Sequence, residues 1–243
     1  MKILSYLLSP IFGLVFFLIL LLFHPLQWIG LKIGYRTHKF VVDLMNLCLV
    51  RSLLLLGNTV KFKKHYEIPK NATIIFAANH QSLFDIPPMI WWLRKHHPKF
   101  VSKIELGKGI PSVSFNLKYG GGALIDRKDP KKALLILADF AKRLKKNTWS
   151  AVIFPEGTRS RDGKPKSFSV NGLKMMIRHN PEAYIVPISI NNSWKVFKYG
   201  SFPLGLFNKI TVETHQPIHL KDKDINEALS ETEVSVKKHI TQS

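Results

Sequence analysis

The sequence predicts an α/β fold: a mostly parallel sheet flanked by helices, behind an N-terminal hydrophobic helical membrane anchor. Short apolar runs alternate with basic stretches of helical spacing, the order that a parallel sheet with crossover helices requires. The run 73–78 (TIIFAA) is apolar at consecutive positions, as a strand covered on both faces must be, and 151–154 (AVIF) and 185–190 (IVPISI) repeat the pattern. Ahead of them, residues 3–23 carry no full charge, a length that suits a helix crossing hydrocarbon.

Within that first stretch only Gly13 interrupts a strongly apolar run from Ile11 to Phe23. A secretory leader fits poorly, because Lys2 alone precedes the run and no small-residue cleavage pattern follows it. His24 and Pro25 end the run, and the cations Lys32, Arg36, His38 and Lys39 that follow mark a cytoplasmic side. A second apolar stretch, 40–56, is broken by Asp43, Asn46 and Arg51, which suits an interfacial or packed helix better than a second span. One span plus an interfacial helix, or a two-helix anchor dipping into one leaflet, both satisfy this pattern. Gly57-Asn58 then separates an anchor, 1–58, from a soluble domain, 59–243. In that domain 100–101, 123–125 and 210–214 supply further strands, while 130–146 and 167–179 read as amphipathic helices. Pro187, inside an apolar strand, predicts an edge or a bulge.

A chain of 243 residues with 46% hydrophobic content suffices for one such domain and an anchor. The 36 Lys and Arg against 16 Asp and Glu, a formal +20, call for anionic partners: nucleic acid, an anionic membrane surface, or acidic and phosphorylated substrates. Basic runs at 61–64, 94–97 and 142–146 would be the patches of a non-catalytic binder, but no nucleic-acid-binding motif accompanies them, and such runs are usually solvated helix faces. The single cysteine, Cys48, excludes an intrachain disulfide. His96 and His97 are adjacent and lack ligand spacing, so no metal is expected.

Polar clusters follow three of the strand candidates directly, where sites form beyond the carboxyl ends of strands in open α/β sheets. In Asn79-His80-Gln81-Ser82-Leu83-Phe84-Asp85 the His and Asp do not share a helix face, yet they meet if His80 lies on a loop and Asp85 on the first turn of the next helix. A carboxylate on one imidazole nitrogen leaves the other as a general base. Phe154-Pro155-Glu156-Gly157-Thr158-Arg159-Ser160 presents a carboxylate and a guanidinium at the tip of a turn, and Arg159 suits phosphate. Gly120-Gly121-Gly122-Ala123-Leu124-Ile125-Asp126-Arg127 offers close backbone approach and a second guanidinium, without the Gly-Lys-Ser/Thr of a phosphate-binding loop. No Gly-x-Ser-x-Gly elbow is present, which argues against a covalent intermediate, although Ser82 stands as a conceivable nucleophile.

Together, NHQSLFD, GGALIDR, FPEGTRS and VPISI resemble, in this order, the four blocks of the glycerolipid acyltransferase family, over roughly residues 60–220. Leu124 stands where that family often has an aromatic residue, and SKIEL, 102–106, resembles a segment that brings a lysine near the site, here Lys103. The resemblance implies transfer of a fatty acyl group from acyl-CoA or acyl carrier protein, as co-substrate and without a bound cofactor, to a lysophospholipid hydroxyl. It makes His80 the base and Asp85 its orienting partner. Arg127, Glu156, Gly157, Thr158 and Arg159, with Lys103 beside them, would bind the acceptor's glycerol phosphate, and Pro187 would shape the acyl-donor side.

Overall fold

A computed structural model of the chain describes residues 2–241. Two helices come first, α1 (Lys2–Ile33) and α2 (Tyr35–Ser52), then β1 (Thr59–Lys64), β2 (Ile74–Ala78), α3 (Ile86–Trp92), β3 (Pro98–Lys103), α4 (Val113–Tyr119) and β4 (Ala123–Ile125). The remainder is α5 (Pro130–Asn147), β5 (Ser150–Ile153), α6 (Val170–His179), β6 (Tyr184–Asn191), β7 (Lys209–Thr214), β8 (Ile218–His219) and α7 (Ile225–Lys238). The strands form one eight-stranded sheet in the order β1-β7-β6-β2-β5-β3-β4, with β8 beside β6. From β6 to β4 all neighbours are parallel, so the carboxyl ends of five strands share one edge. β7 and β8 pair with β6 antiparallel, and β1 lies parallel to β7 at the edge, so these three strands oppose the other five.

Side-chain alternation along β2 divides the core. Ile75 and Ala77 face Leu137, Phe140 and Leu144 of α5 together with Leu173 and Met176 of α6. Ile74, Phe76 and Ala78 face Met89, Ile90 and Leu93, along with Val42 of α2. The anchor is therefore continuous with the domain: α2 covers part of the sheet.

α1 extends further than the apolar run that foreshadowed it. Pro25 lies inside the helix, which continues to Ile33. Its loss of one N–H is absorbed in a helix packed against α2. Gly34, at φ 144°, makes the break, and α2 folds back so that Leu20 meets Met45 and Leu49. α1 also lies along the domain. Ser9 Oγ accepts from the Leu204 N–H at 2.8 Å, Phe12 meets the Phe84 ring edge-on at 5.7 Å, and Ser112 Oγ donates to Leu20 O at 2.6 Å. The opposite face, including Ile11, Leu14, Leu18 and Leu22, is exposed and apolar, and α1 is long and apolar enough to cross a membrane.

The edge position expected for Pro187 is overturned. It lies in β6, an interior strand, opposite Ala77 of β2. The missing N–H is tolerated because the antiparallel partner changes there: β8 pairs Tyr184 and Ile185, and β7 pairs residues 188–191.

Candidate active site

The site begins where β2 ends. Asn79 reproduces one more rung of the β2–β6 ladder with its side chain, donating from Nδ2 to Ile190 O at 2.8 Å and accepting from the Ile190 N–H at Oδ1 at 2.7 Å. The backbone is thereby freed to turn out of the sheet at His80. Ser82 then starts a 3-10 turn, Leu83–Asp85, by accepting from the Phe84 N–H at 3.0 Å, and the turn runs directly into α3.

Asp85 is fully buried and receives donors from every side. Its Oδ2 accepts from the Gln81 N–H at 2.7 Å, the Ser82 N–H at 2.9 Å and His80 Nδ1 at 2.7 Å. Its Oδ1 accepts from Ser82 Oγ at 3.4 Å and, in a short contact, from Ser193 Oγ. With two backbone N–H groups already donating to Asp85 Oδ2, a proton on His80 Nδ1 completes the set and leaves the Nε2 lone pair free. The imidazole plane is set by Phe154, whose ring stacks on it at 4.0 Å between centroids. A side chain held this way can take a proton at Nε2, with the resulting imidazolium stabilised by the buried carboxylate.

The turn after β5 is tied to the same loop. Ser160 N–H donates to His80 O at 2.7 Å, and Glu156 Oε1 accepts from the His80 N–H at 3.3 Å. Gly157 takes φ 70°, a left-handed conformation that glycine supplies without strain. Glu156 is buried and its Oε2 has no partner; burial pushes its carboxyl up to about 7, against the opposing bonds from the His80 and Lys166 backbone amides. Arg127, just past β4, donates to Gly157 O, and burial holds its guanidinium below its usual range.

His80, Asp85, Glu156, Gly157 and Arg127 are thus joined directly, from three loops on one edge of the sheet. Thr158 and Arg159 are exposed on the same turn, where Lys166 Nζ reaches Thr158 Oγ1 at 2.8 Å and Arg159 O at 3.1 Å. Lys103 closes β3 in register with Ile125, exposed on the same edge. Pro187 is buried within the sheet, below the loop. Ser82 is nearly inaccessible and its hydroxyl is engaged by Phe84 and Asp85, which leaves it no role as a nucleophile.

Three contributors escape a reading of the sequence. Gln81 accepts at Oε1 from the Ser193 N–H at 3.1 Å, inside a motif where His80 and Asp85 draw the attention. Phe154 stands ahead of the turn as an ordinary strand residue. Ser193 lies far along the chain from Asp85. Its only signal is that it follows the carboxyl end of a strand, as the other clusters do.

The chain is similar to proteins already known. The Acyltransferase family profile matches residues 59–191. A chloroplastic 1-acyl-sn-glycerol-3-phosphate acyltransferase of Arabidopsis thaliana is 30% identical over 158 residues, 64% of this chain and 43% of that protein. A 1-acyl-sn-glycerol-3-phosphate acyltransferase of Helicobacter pylori is 36% identical over 140 residues, 56% of this chain and 55% of that protein. The matched segments thus span about half the length of these curated relatives. The crystal structure of the 1-acyl-sn-glycerophosphate acyltransferase PlsC from Thermotoga maritima superposes with a TM-score of 0.80 at 25% identity, covering 98% of this chain and 95% of that one. With the family profile matching more than half of the chain, and with the His80–Asp85 pair inside the matched segment, the chain belongs to the Acyltransferase family.

Proposed function

We propose that the protein is a membrane-attached 1-acyl-sn-glycerol-3-phosphate acyltransferase, which moves a fatty acyl group from acyl-CoA or acyl carrier protein to the sn-2 hydroxyl of lysophosphatidate and forms phosphatidate. The observation that carries this reading is the 2.7 Å contact between His80 Nδ1 and an Asp85 carboxylate already saturated with donors. In the reaction, His80 Nε2 takes the proton of the acceptor hydroxyl as its oxygen attacks the thioester carbonyl. The tetrahedral oxyanion collapses, the C–S bond breaks, and the imidazolium returns its proton to the departing thiolate. No acyl-enzyme forms.

The acceptor's glycerol phosphate binds across the rim made by Arg127, Arg159 and Lys103, with Glu156, Gly157 and Thr158 setting the shape of the turn beneath it. Guanidinium groups suit this task because they grip phosphate in a bidentate manner. Pro187 acts on the acyl-donor side through the strand it stiffens. Attachment comes from the exposed apolar face of α1, with the active site toward the cytoplasm at the bacterial inner membrane and anionic headgroups attracted by the excess positive charge.

The test supplies labelled acyl-CoA or acyl carrier protein, with a panel of lysolipids, to membranes that contain the protein. Phosphatidate formed from lysophosphatidate is the expected product. A different lysolipid as the sole acceptor would retain the chemistry and replace the acceptor, and transfer to none from either donor would overturn the reading.

A further inference from the structure

At the edge of the sheet opposite His80, where β3 begins, α2 and the segment after α3 line an open cavity of about 380 Å³. Its polar wall is Lys39, Asp43, Arg94, Lys95 and His97. Asp43 is the sole carboxylate in this wall, and Lys39 pairs with it. Among the described residues Arg94 and Lys95 form no ion pair, although Arg94 acts on the Asp43 carboxyl from a distance. Arg94 packs its guanidinium 4.0 Å above the Trp91 ring and uses NH1 on Trp91 O at 2.7 Å, one of the five N–H bonds that it can donate. Lys99 is buried behind the wall between the rings of Tyr35 and Trp149, at 4.8 and 4.7 Å. His97 feels burial and then the charges of Lys39, Lys99 and Arg36, all of which hold its imidazole below its usual range. Burial and then Lys39 bring the Lys99 amine down to about 7, which relieves part of this crowding, and an anion in the site would offset what remains.

The mouth of the cavity identifies the anion's carrier. Phe40 and Leu44, one turn apart on α2, rim it and are 65% and 38% exposed. On α1, Ile33 and Trp28 are exposed as well, with Lys32 Nζ 5.6 Å from the Trp28 ring. Cationic wall, apolar lip and aromatic–lysine pairs together are the arrangement found where protein meets headgroups. We propose that this cavity binds the phosphate headgroup of an anionic membrane phospholipid, at a site separate from the catalytic one. The phosphate sits among Arg94, Lys95 and Lys39, and an acyl chain lies over Phe40 and Leu44. The occupied site seats the α2 side of the domain at the bilayer surface.

This proposal rests on the membrane attachment proposed above, and one experiment separates the two. Purified full-length protein is sedimented with vesicles of phosphatidylcholine alone, or with about 30 mol% phosphatidylglycerol. Each cation near a charged surface contributes about 1 kcal/mol. The R94Q/K95Q variant is therefore expected to bind neutral vesicles as the wild type does while losing roughly 10- to 30-fold in affinity for the anionic ones. K145Q/K146Q, the same charge change at the end of α5, is expected to lose less than about threefold. K95Q alone, at an exposed side chain, is expected to show a several-fold loss, and unaltered acyl transfer in neutral detergent reports the fold. Equal losses in the two double variants, or none in R94Q/K95Q, would overturn the site. Wild-type protein bound to neither vesicle would overturn attachment and the site with it.

Discussion

The chain contains three His-x-x-x-x-Asp segments; in the last, His219 to Asp224, the carboxylate caps α7 by accepting from the Asn226 and Glu227 N–H groups, and the first two have opposite fates. HKFVVD, from His38 to Asp43, lies within the uninterrupted helix α2, whereas HQSLFD, from His80 to Asp85, crosses from a loop into a 3-10 turn. Five residues of α-helix place two side chains roughly 140° apart around the axis. Asp43 accordingly pairs with Lys39, one turn away, and buried His38 leaves Nε2 without a partner, its imidazole held below the usual range by burial and Lys99. In the second segment the backbone reverses, and the same spacing delivers a 2.7 Å contact with the carboxylate's remaining valences filled. Spacing therefore specifies a dyad only through the path the backbone takes. Here Asn79 and Ser82 fix that path.

Parallel substitutions in the two segments put this contrast to its largest test. General-base catalysis contributes on the order of 10²–10⁴ in rate. His80→Ala is expected to lower acyl transfer about 1,000-fold or more, and Asp85→Asn, which keeps the shape but not the charge, about 100-fold or more. His38→Ala and Asp43→Asn are expected to stay within about threefold of wild type in turnover, with His38→Ala lowering Tm because it opens a buried space. Initial rates beside thermal melts would decide it. Equal losses of rate at His38 and His80 would end the distinction.

How far the sequence discloses each region follows from the range of the forces involved. The central strands are legible because burial on both faces makes 74–78 apolar at each position and 185–190 apolar at all but Ser189, a local signal. β1, TVKFKK, escapes because an edge strand with lysines facing water looks like solvated chain. Pro25 misleads because a proline's cost is settled by packing against α2, which no window of sequence contains. Pro187 misleads for the same reason: a change of partner from β8 to β7 makes an interior position tolerable. In the site, His80, Asp85, Glu156 and Arg127 are visible as polar residues just beyond strands. Their assembly through the Arg127–Gly157 contact is a matter of topology, and so is the arrival of Ser193 at Asp85.

Ser193 gives the contrast a finer test, since it supplies a donor that Asp43 has no equivalent for. A hydrogen bond to a charged group contributes about 1.5–3 kcal/mol, part of which relaxation recovers. Ser193→Ala is expected to reduce kcat roughly tenfold with KM for the acceptor unchanged, as befits a residue that positions Asp85 without touching substrate. Ser193→Thr, if its methyl is accommodated, should restore much of the rate. A change confined to KM would show that Ser193 acts on substrate binding instead.

The smallest expected effect concerns Glu156, a buried carboxyl whose environment is the inverse of Asp85's. Asp85 has donors on both oxygens, while Glu156 feels the His80 and Lys166 backbone amides and leaves Oε2 without a partner. Its carboxyl is raised from 4.5 to about 7, chiefly by burial. Between these two values the folded protein binds the proton more tightly than the unfolded chain, so stability declines as pH rises through this window and stays reduced above it. Glu156→Gln keeps the acceptor for the His80 N–H and removes the titration. The variant is therefore expected to gain a few degrees of Tm over wild type at pH 8, with the two melting curves converging toward pH 4.5. Melts across this range in neutral detergent provide the measurement. A gain in Tm that does not grow with pH would mean that the carboxyl ionises in the fold without penalty, because a donor satisfies Oε2.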